Sequence, residues 1–326
     1  MTAVAADVAA VCGRMRTESL VALAVHEKPD ADALGAAAGM LDLFSQLGAE
    51  ARLHVAEGES LPFRDLLLPQ GSVVRGLPPA GASLYALDCG SFPRLALPLE
   101  TWDGPLVDID HHHDNTRYGD LVLLRPQASS TSEIVCELAL ALGLAPSLPA
   151  ATALYAGISF DSGHFHHDST SAETFRCAAW LRELGVDVTA VYGELYERRS
   201  LGAVRLCALA VGRAVQVDGG RALVATVDLA DYAAAGAGED ETEGIVETLR
   251  AVDGVEAAAL VKEQSSGPRV RVSLRSRAVD VSAIAASRGG GGGHRLAAGF
   301  SSDDSPEEVS AWLSSELAKS LLTASC

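Results

Sequence analysis

Apolar positions fall into two kinds of pattern along the chain. Three short runs, Leu20 to Val25, Ser83 to Leu87 and Leu106 to Ile109, are continuous rather than alternating, as expected of parallel strands covered on both faces. Ala33 to Leu47, Ser132 to Leu142, Ala151 to Phe160 and Ala172 to Leu184 instead place apolar residues three and four apart, which predicts helices with one buried face. Strands and helices thus alternate over the first ~190 residues, the pattern of an α/β domain doubly wound on a parallel sheet.

A helical stretch from about Val188 to Arg213 leads into a second pattern. Strands are predicted near Ala222 to Asp228, Ala257 to Lys262 and Val270 to Leu274, a helix from Glu241 to Val252, and a terminal helix from Pro306 to Leu321. This is a smaller α/β domain, giving a division into 1–190, a helical linker 191–213, and 214–326. Ala233 to Glu243, rich in Gly, Ala and acids, reads as an exposed loop. Met1 to Cys12 reads as a helix, since it carries an Asp and lacks the leading basic residues of a signal peptide.

Charge narrows the partners. With 25 Lys and Arg against 43 Asp and Glu, the net charge is −18, and so acidic a surface repels a long phosphate backbone. Duplex nucleic acid is not an expected partner, and an anionic substrate must be attracted locally, by bound metal or a few placed Arg residues. The longest clear apolar run, Ala150 to Phe160, falls short of the ~20 residues that span a bilayer. Cys12, Cys89, Cys136, Cys177, Cys207 and Cys326 form no C-x-x-C pair, so they read as reduced, mostly buried thiols and the cytoplasm as the default compartment.

Each apolar run of the first domain ends on residues that can bind metal: Val25 precedes His26, Leu87 precedes Asp88, and Ile109 precedes Asp110-His111-His112. In an open parallel sheet, ligands bind beyond the carboxyl ends of the strands, so these side chains should meet in one crevice. His26, Asp30 and Asp32 add an H-x-x-x-D-x-D spacing around Pro29, with Asp32 at the start of the following helix. Any one Asp could be an ordinary turn or cap residue. A cluster is different, because like charges ~4 Å apart repel by about 4 kcal/mol at an effective dielectric near 20. A cation resolves the conflict, and mixed imidazole and carboxylate ligation suits Mn, Fe, Co or Zn better than Ca or Mg.

Two such ions bridged by a carboxylate activate water, hold a phosphoryl oxygen and offset charge in an in-line displacement. Phosphoester hydrolysis is therefore the predicted reaction, and no G-x-S-x-G, Walker loop or G-x-G-x-x-G after a strand competes with it. Gly35 and Gly39 sit within a helical pattern and are expected to serve packing. Asp161, at the end of an apolar helix, is a candidate final ligand or a plain helix-end turn. His164, His166 and His167 lack companion carboxylates at ligand spacing and read as solvent-exposed or substrate-edge residues, as do His113 and His54.

In the second domain, Ser273, Arg275 and Arg277 alternate, which predicts projection from one strand face toward phosphate or base, or a solvated edge. The run Gly289 to Gly293 before His294 has no evident packing purpose. It would let backbone N–H groups approach an anion, unless it is a flexible linker.

These pieces together resemble the DHH phosphoesterase family, in its nano-RNase and pAp-phosphatase branch. They are His26-Glu27-Lys28-Pro29-Asp30-Ala31-Asp32, Leu87-Asp88, Asp110-His111-His112 with Asn115 and Tyr118-Gly119-Asp120, Asp161-Ser162-Gly163, and Gly290 to His294 with Ala297-Ala298-Gly299. The resemblance implies two manganese ions on His26, Asp30, Asp32, Asp88, His111 and Asp161, with Asp88 as bridge and His112 on the substrate phosphate. Asp88 and His112 are then the candidate catalytic residues. It also implies a DHH-associated second domain holding the rest of a small nucleotide or short single-stranded RNA through Ser273, Arg275, Arg277, Gly291, Gly292, Gly293 and His294, and a homodimer. Gly289 departs from the usual aromatic residue and Ser162 from the usual Thr. An inorganic pyrophosphatase or polyphosphatase is the rival enzyme, and would require several Lys and Arg around pyrophosphate. An inactive nucleotide sensor is the rival outside enzymes, against which stand all six ligands.

Overall fold

The computed structural model describes residues 4–5, 8–288 and 291–324. The chain divides into two compact units, residues 1–198 and 199–326. The first begins β1 (Val4–Ala5), α1 (Val8–Met15), β2 (Leu20–Val25), α2 (Ala31–Gln46), β3 (Glu50–Val55), α3 (Arg64–Leu67) and β4 (Val73–Arg75). It continues through β5 (Ser83–Leu87), β6 (Leu106–Asp110), β7 (Leu121–Leu124), α4 (Thr131–Leu142), α5 (Leu148–Asp161), α6 (Ala172–Glu183) and α7 (Val188–Tyr196). Its seven strands form an all-parallel sheet in the order β1-β7-β6-β5-β2-β3-β4. Chain order reverses between β2 and β5, and ligands of open parallel sheets bind at such a switch point.

The sheet is not doubly wound as the strand and helix alternation suggests. Val21, Leu23, Val25, Tyr85, Leu87 and Ile109 face a core built with α2, α4 and α5. The opposite face, Ala22, Ala24, Leu84, Ala86 and Leu106, is covered by Cys89, Leu95 and Leu97 of an irregular segment. Alanines suit that thin cover, and the chain passes from β5 to β6 and from β6 to β7 without an α-helix.

Small residues let α2 and α5 pack closely. A Cβ on Gly35 would lie 2.5 Å from the Ala153 carbonyl oxygen, and one on Gly39 2.6 Å from Leu154 Cδ2. A Cβ on Gly157 would lie 2.1 Å from Ser132 Oγ and 2.8 Å from Asp32 Oδ1. The packing role expected of Gly35 and Gly39 is thus what holds the start of α2 against α4 and α5.

The second unit comprises α8 (Leu201–Gly212), β8 (Val215–Val217), β9 (Ala222–Val227), α9 (Leu229–Ala235), α10 (Ile245–Arg250) and β10 (Ala257–Glu263). It ends with β11 (Val270–Ser276), α11 (Val281–Ala286), β12 (Gly292–His294), β13 (Ala297–Ser302) and α12 (Pro306–Ala324). Its six-stranded mixed sheet runs β12-β13-β11-β10-β9-β8. One face packs on α11 and α12 through Val261, Val272 and Leu274, the other on α8, α9 and α10 through Ala225, Ala258 and Leu260.

Several expectations change. The helix expected over Val188 to Arg213 is two helices, because Ser200 caps α8 by accepting the Ala203 N–H. The helix expected from Glu241 starts only at Ile245, after Gly244 in a left-handed conformation. Residues 4–5 pair with β7 ahead of α1 rather than joining it. Cys12, Cys89, Cys136 and Cys177 are buried free thiols and Cys207 is half-buried, while Cys326 lies outside the described residues. No helix among the described residues is long and apolar enough to cross a membrane.

Two glycine substitutions should move stability in opposite directions. Gly13 in α1 has open space where a Cβ would go, so Gly13→Ala should stabilise by up to about 1 kcal/mol from helix propensity. Gly35→Ala meets backbone that cannot swing aside, and overpacking of about 1 to 3 kcal/mol should outweigh that gain. Denaturant midpoints check both; equal midpoints would show that α2 and α5 separate freely.

Candidate metal centre

His26 follows β2 and forms a bridge with Leu95. Its Nδ1 lies 2.8 Å from its neighbour's carbonyl, Glu27 O, which fixes the tautomer and leaves the Nε2 lone pair for another partner. That Nε2 sits 3.6 Å from Asp88 Oδ2 and 3.9 Å from Asp30 Oδ2. Asp30 is the N-cap of α2: Oδ1 accepts the Asp32 and Ala33 N–H groups at 2.9 and 3.1 Å, which leaves Oδ2 facing the imidazole. The expectation that Asp32 opens this helix holds with Asp30 as the actual cap.

Asp32 is fully buried. Its carboxylate accepts the Thr131 N–H at 2.7 Å and the Ser132 N–H at 2.9 Å, so it sits at the positive end of α4. Asp88 ends β5 with φ of 56°, a left-handed conformation that costs a non-glycine residue energy and is concentrated at functional sites. Its N–H donates to Ile109 O at 3.0 Å, and Thr131 Oγ1 donates to its Oδ1 at 3.0 Å. His111 follows β6 with Nδ1 3.4 Å from Ala128 O. Its Nε2 lies 3.1 Å from Asp161 Oδ2, at the end of α5, and 3.4 Å from Asp88 Oδ1. All six expected ligands therefore meet around Asp88.

His26, Asp30 and Asp88 form one group able to hold a cation, and Asp32, His111 and Asp161 another. A third joins Asp88 with Asp110, His111 and His112, so Asp88 stands where a bridging carboxylate would. The donor set fits a metal on one further observation. Buried His111 Nε2 has no hydrogen-bond partner despite two carboxylates within 3.4 Å, so its lone pair and theirs converge on common space.

The electrostatics point the same way. Burial would lower His111, but its contacts with Asp161 and Asp88 push it up to about 12. Burial likewise opposes and Asp88 outweighs it at His26, pushed up to about 9. Burial, then the charges of Asp88 and Asp161, raise Asp30 to about 6 and Asp32 well above the carboxylate range. Asp88 is held far below that range, because His111 and His26 overcome the effect of burial. Without a cation, protons on imidazoles must offset the carboxylates; a divalent ion offsets them directly and displaces those protons.

Sequence reasoning missed the supports. Asp110 Oδ1 accepts the His111 and His112 N–H groups at 2.8 and 3.2 Å and holds His112 Nδ1 at 2.7 Å. Asn115 Nδ2 donates to Asp110 Oδ2 at 2.7 Å and to Asp108 Oδ1 at 3.1 Å. Asp110 was visible as the residue ahead of the two histidines, whereas nothing in the sequence marked Thr131.

The second unit places its expected residues differently. β11 ends at Ser276, so Arg277 lies beyond it, and Arg271, not Arg277, shares a face with Ser273 and Arg275. Lys262 pairs with Arg271 across β10 and β11, and Arg275 Nε is bound to Glu247 at 2.9 Å. The glycine run is no linker: Gly292, Gly293 and His294 pair with Gly299, Ala298 and Ala297. Nor is it without packing purpose, since a Cβ on Gly291 would lie 2.4 Å from Ala285 O and one on Gly293, at φ of 135°, 2.6 Å from Ala297 O. Gly289 and Gly290 lie outside the described residues.

Comparison with known proteins agrees with this architecture. The N-terminal domain of the DHH family matches residues 20–158, and the DHHA1 domain matches residues 219–321. The bifunctional oligoribonuclease and PAP phosphatase NrnA of Thermus thermophilus is 32% identical over 284 residues, 86% of this chain and 84% of that protein. The probable bifunctional oligoribonuclease and PAP phosphatase NrnA of Streptococcus mutans is 30% identical over 298 residues, 90% of this chain and 92% of that one. A crystal structure of an exopolyphosphatase-related protein from Bacteroides fragilis shares the fold, with a TM-score of 0.85 at 20% identity over 98% of this chain and 97% of that chain.

The cluster predicts metal-linked stability. At one hundred times its dissociation constant, a single bound ion adds about 2.7 kcal/mol, so the protein should unfold at a higher temperature with Mn than in excess chelator. Asp88→Ala should lose most of this difference and much of the metal measured by elemental analysis. An Asp88→Ala protein that keeps the full shift and two metals per chain would remove Asp88 from the bridging role.

Proposed function

This chain belongs to the DHH family, and on that footing we propose that it is a two-metal phosphoesterase of short oligoribonucleotides and small nucleotides. Its substrates are dinucleotides, pApA and cyclic di-AMP among them, and the mononucleotide adenosine 3',5'-bisphosphate. The position of Asp88 between His26 Nε2 at 3.6 Å and His111 Nε2 at 3.4 Å carries this reading.

His26, Asp30 and Asp88 would hold one ion, and Asp32, His111, Asp161 and Asp88 the second, with Mn as the metal. When bound, such a pair supplies Lewis acidity toward water and the phosphoryl oxygen. The chain's residues do the rest. Asp110 holds His112 through Nδ1, so the imidazole is oriented before substrate arrives and its Nε2 contacts the phosphate. Thr131 Oγ1 donates to one Asp88 oxygen, which limits how far that carboxylate can turn and would hold it in place for the ions. In the second unit, Ser273, Arg275, the backbone of Gly291, Gly292 and Gly293, and His294 hold the non-reacting part of the nucleotide, with Arg277 beyond the strand end. Free thiols support a cytoplasmic site of action, and the family resemblance supports a homodimer.

A panel of short RNA, pApA, cyclic di-AMP, adenosine 3',5'-bisphosphate and inorganic pyrophosphate, compared by kcat/KM with Mn, tests the reading. The nucleotides should be cleaved, chelator should abolish cleavage, and Mn should restore it better than Mg or Ca. Preference for pyrophosphate, or full activity in chelator with no metal bound, would overturn it.

Arg275→Ala and His294→Ala separately test the role of the second unit. Remote binding energy is realised partly in the transition state, and a charged hydrogen bond is worth roughly 1.5 to 3 kcal/mol, about tenfold to a hundredfold or somewhat more in efficiency. Dinucleotide cleavage should fall by that factor with metal content intact, and cleavage of a small artificial phosphodiester much less. Equal losses on both would reduce the second unit to structural support.

A further inference from the structure

The segment after Asp161 is unlike the rest of the first unit. Gly163, His164 and Phe165 have φ of 58°, 59° and 61°, three successive left-handed residues where single ones are the rule. Ser162 and Ser159 hold them there. The His164 N–H donates to Ser159 O at 2.7 Å, the Phe165 N–H to Ser162 Oγ at 2.9 Å, and the His166 and His167 N–H groups to Ser162 O at 2.9 Å each. A Cβ at 163 would lie 2.3 Å from His167 Nε2, so any larger residue there must push the exposed His167 ring aside.

This turn sets His164 among aromatic rings. Its centroid lies 4.8 Å from Tyr192 and 5.6 Å from Tyr196, both on α7. Tyr196 donates its hydroxyl to Ser159 O at 3.0 Å, and Ser159 Oγ lies 3.4 Å from His164 Nδ1. The inner rings are anchored, while His164 and Tyr192 remain exposed. Asp161 lies close enough that its charge is among the influences on the Tyr196 hydroxyl, after burial, the Ser159 hydrogen bond and the neighbouring tyrosines.

Resting on the phosphoesterase reading above, we propose that His164 and Tyr192 form a stacking surface for a nucleobase of the bound substrate, a base contact made by the first unit itself. The turn begins two residues after Asp161 and is tied to the last turn of α5 by the His164 N–H to Ser159 O bond, which places the ring pair beside the end of α5 that carries Asp161. Each ring has a flat face, as base stacking requires, and such a contact accepts any base because every base has a π-face. A protein partner would favour the wholly apolar Phe165 and Phe175 stack nearby. The histidine and tyrosine face instead suits a heteroaromatic base.

The test compares pApA with analogues lacking one base or the other, for the wild type and for His164→Ala, Tyr192→Ala and His164→Phe, with metal content measured throughout. Stacking on one ring should be worth roughly fivefold to a hundredfold. The alanine variants should lower the ratio of kcat/KM on pApA to that on one abasic analogue by this factor, mainly through KM. His164→Phe should restore most of it, and bound metal should not change. A ratio unmoved in both alanine variants overturns the proposal. So does equal loss on all compounds with a change of oligomeric state by light scattering, which would make the surface an interface between copies. If the wild type cleaves none of the compounds, the phosphoesterase reading falls and this surface with it. Failure of the ratio alone, with wild-type cleavage intact, sinks only the stacking surface.

Discussion

Mutual repulsion among the carboxylates around Asp88 is the constraint on which the first unit depends. Burial, then the charges of Asp88 and Asp161, raise Asp30 and Asp32 even though His26 and His111 act to lower them. Much of the surrounding architecture serves to hold them there. Asp32 can be buried because the N-terminus of α4 donates two backbone N–H groups to it, and these reach it because glycines at 35, 39 and 157 allow α2, α4 and α5 to pack closely. Packing density, helix polarity and site geometry are therefore one requirement. A methyl group added at Gly157 would strike both Ser132 and the Asp32 carboxylate.

How much of this was legible depends on sequence distance. His26 and Asp88 were visible because each directly follows an apolar run, and His111 because it follows one after Asp110; strand termini in a parallel sheet share one edge. Asp30 and Asp32 followed from proline and capping chemistry within a few residues. The hydrogen bonds from Thr131 and Ser132 to Asp88 and Asp32 cross 43 and 99 to 100 positions, and no local pattern announces such partners. Short strands β3, β4 and β7 escaped for another reason. β3 carries polar residues at Glu50, Arg52 and His54, so it lacks the continuous apolar run of its neighbours.

Errors in the second unit have equally specific causes. Alternation placed Arg277 on a strand face, but β11 stops at Ser276, whose hydroxyl accepts the Ala278 and Val279 N–H groups and so turns the chain. The side chain of Arg271, one period in the other direction, occupies the same face, beside Lys262 across the strand pair. The glycine run was read for its backbone freedom alone. In the folded unit, the positions of Gly291 and Gly293 are so close to neighbouring carbonyl oxygens that any side chain is excluded.

Net charge and site chemistry can be reconciled by range. A chain of charge −18 repels a polyanion along its whole length, whereas exposed charges more than about 8 to 10 Å apart are largely screened at physiological salt. A mononucleotide or dinucleotide spans few such lengths, so short-range attraction decides its binding. Cation-holding groups converge on Asp88 in the first unit, and Lys262, Arg271 and Arg275 cluster in the second. Burial, then the charges of Arg271 and Arg275, lower Lys262, with Glu247 acting against them. On the proposed function, each further phosphate of a longer strand adds repulsion from a chain of charge −18.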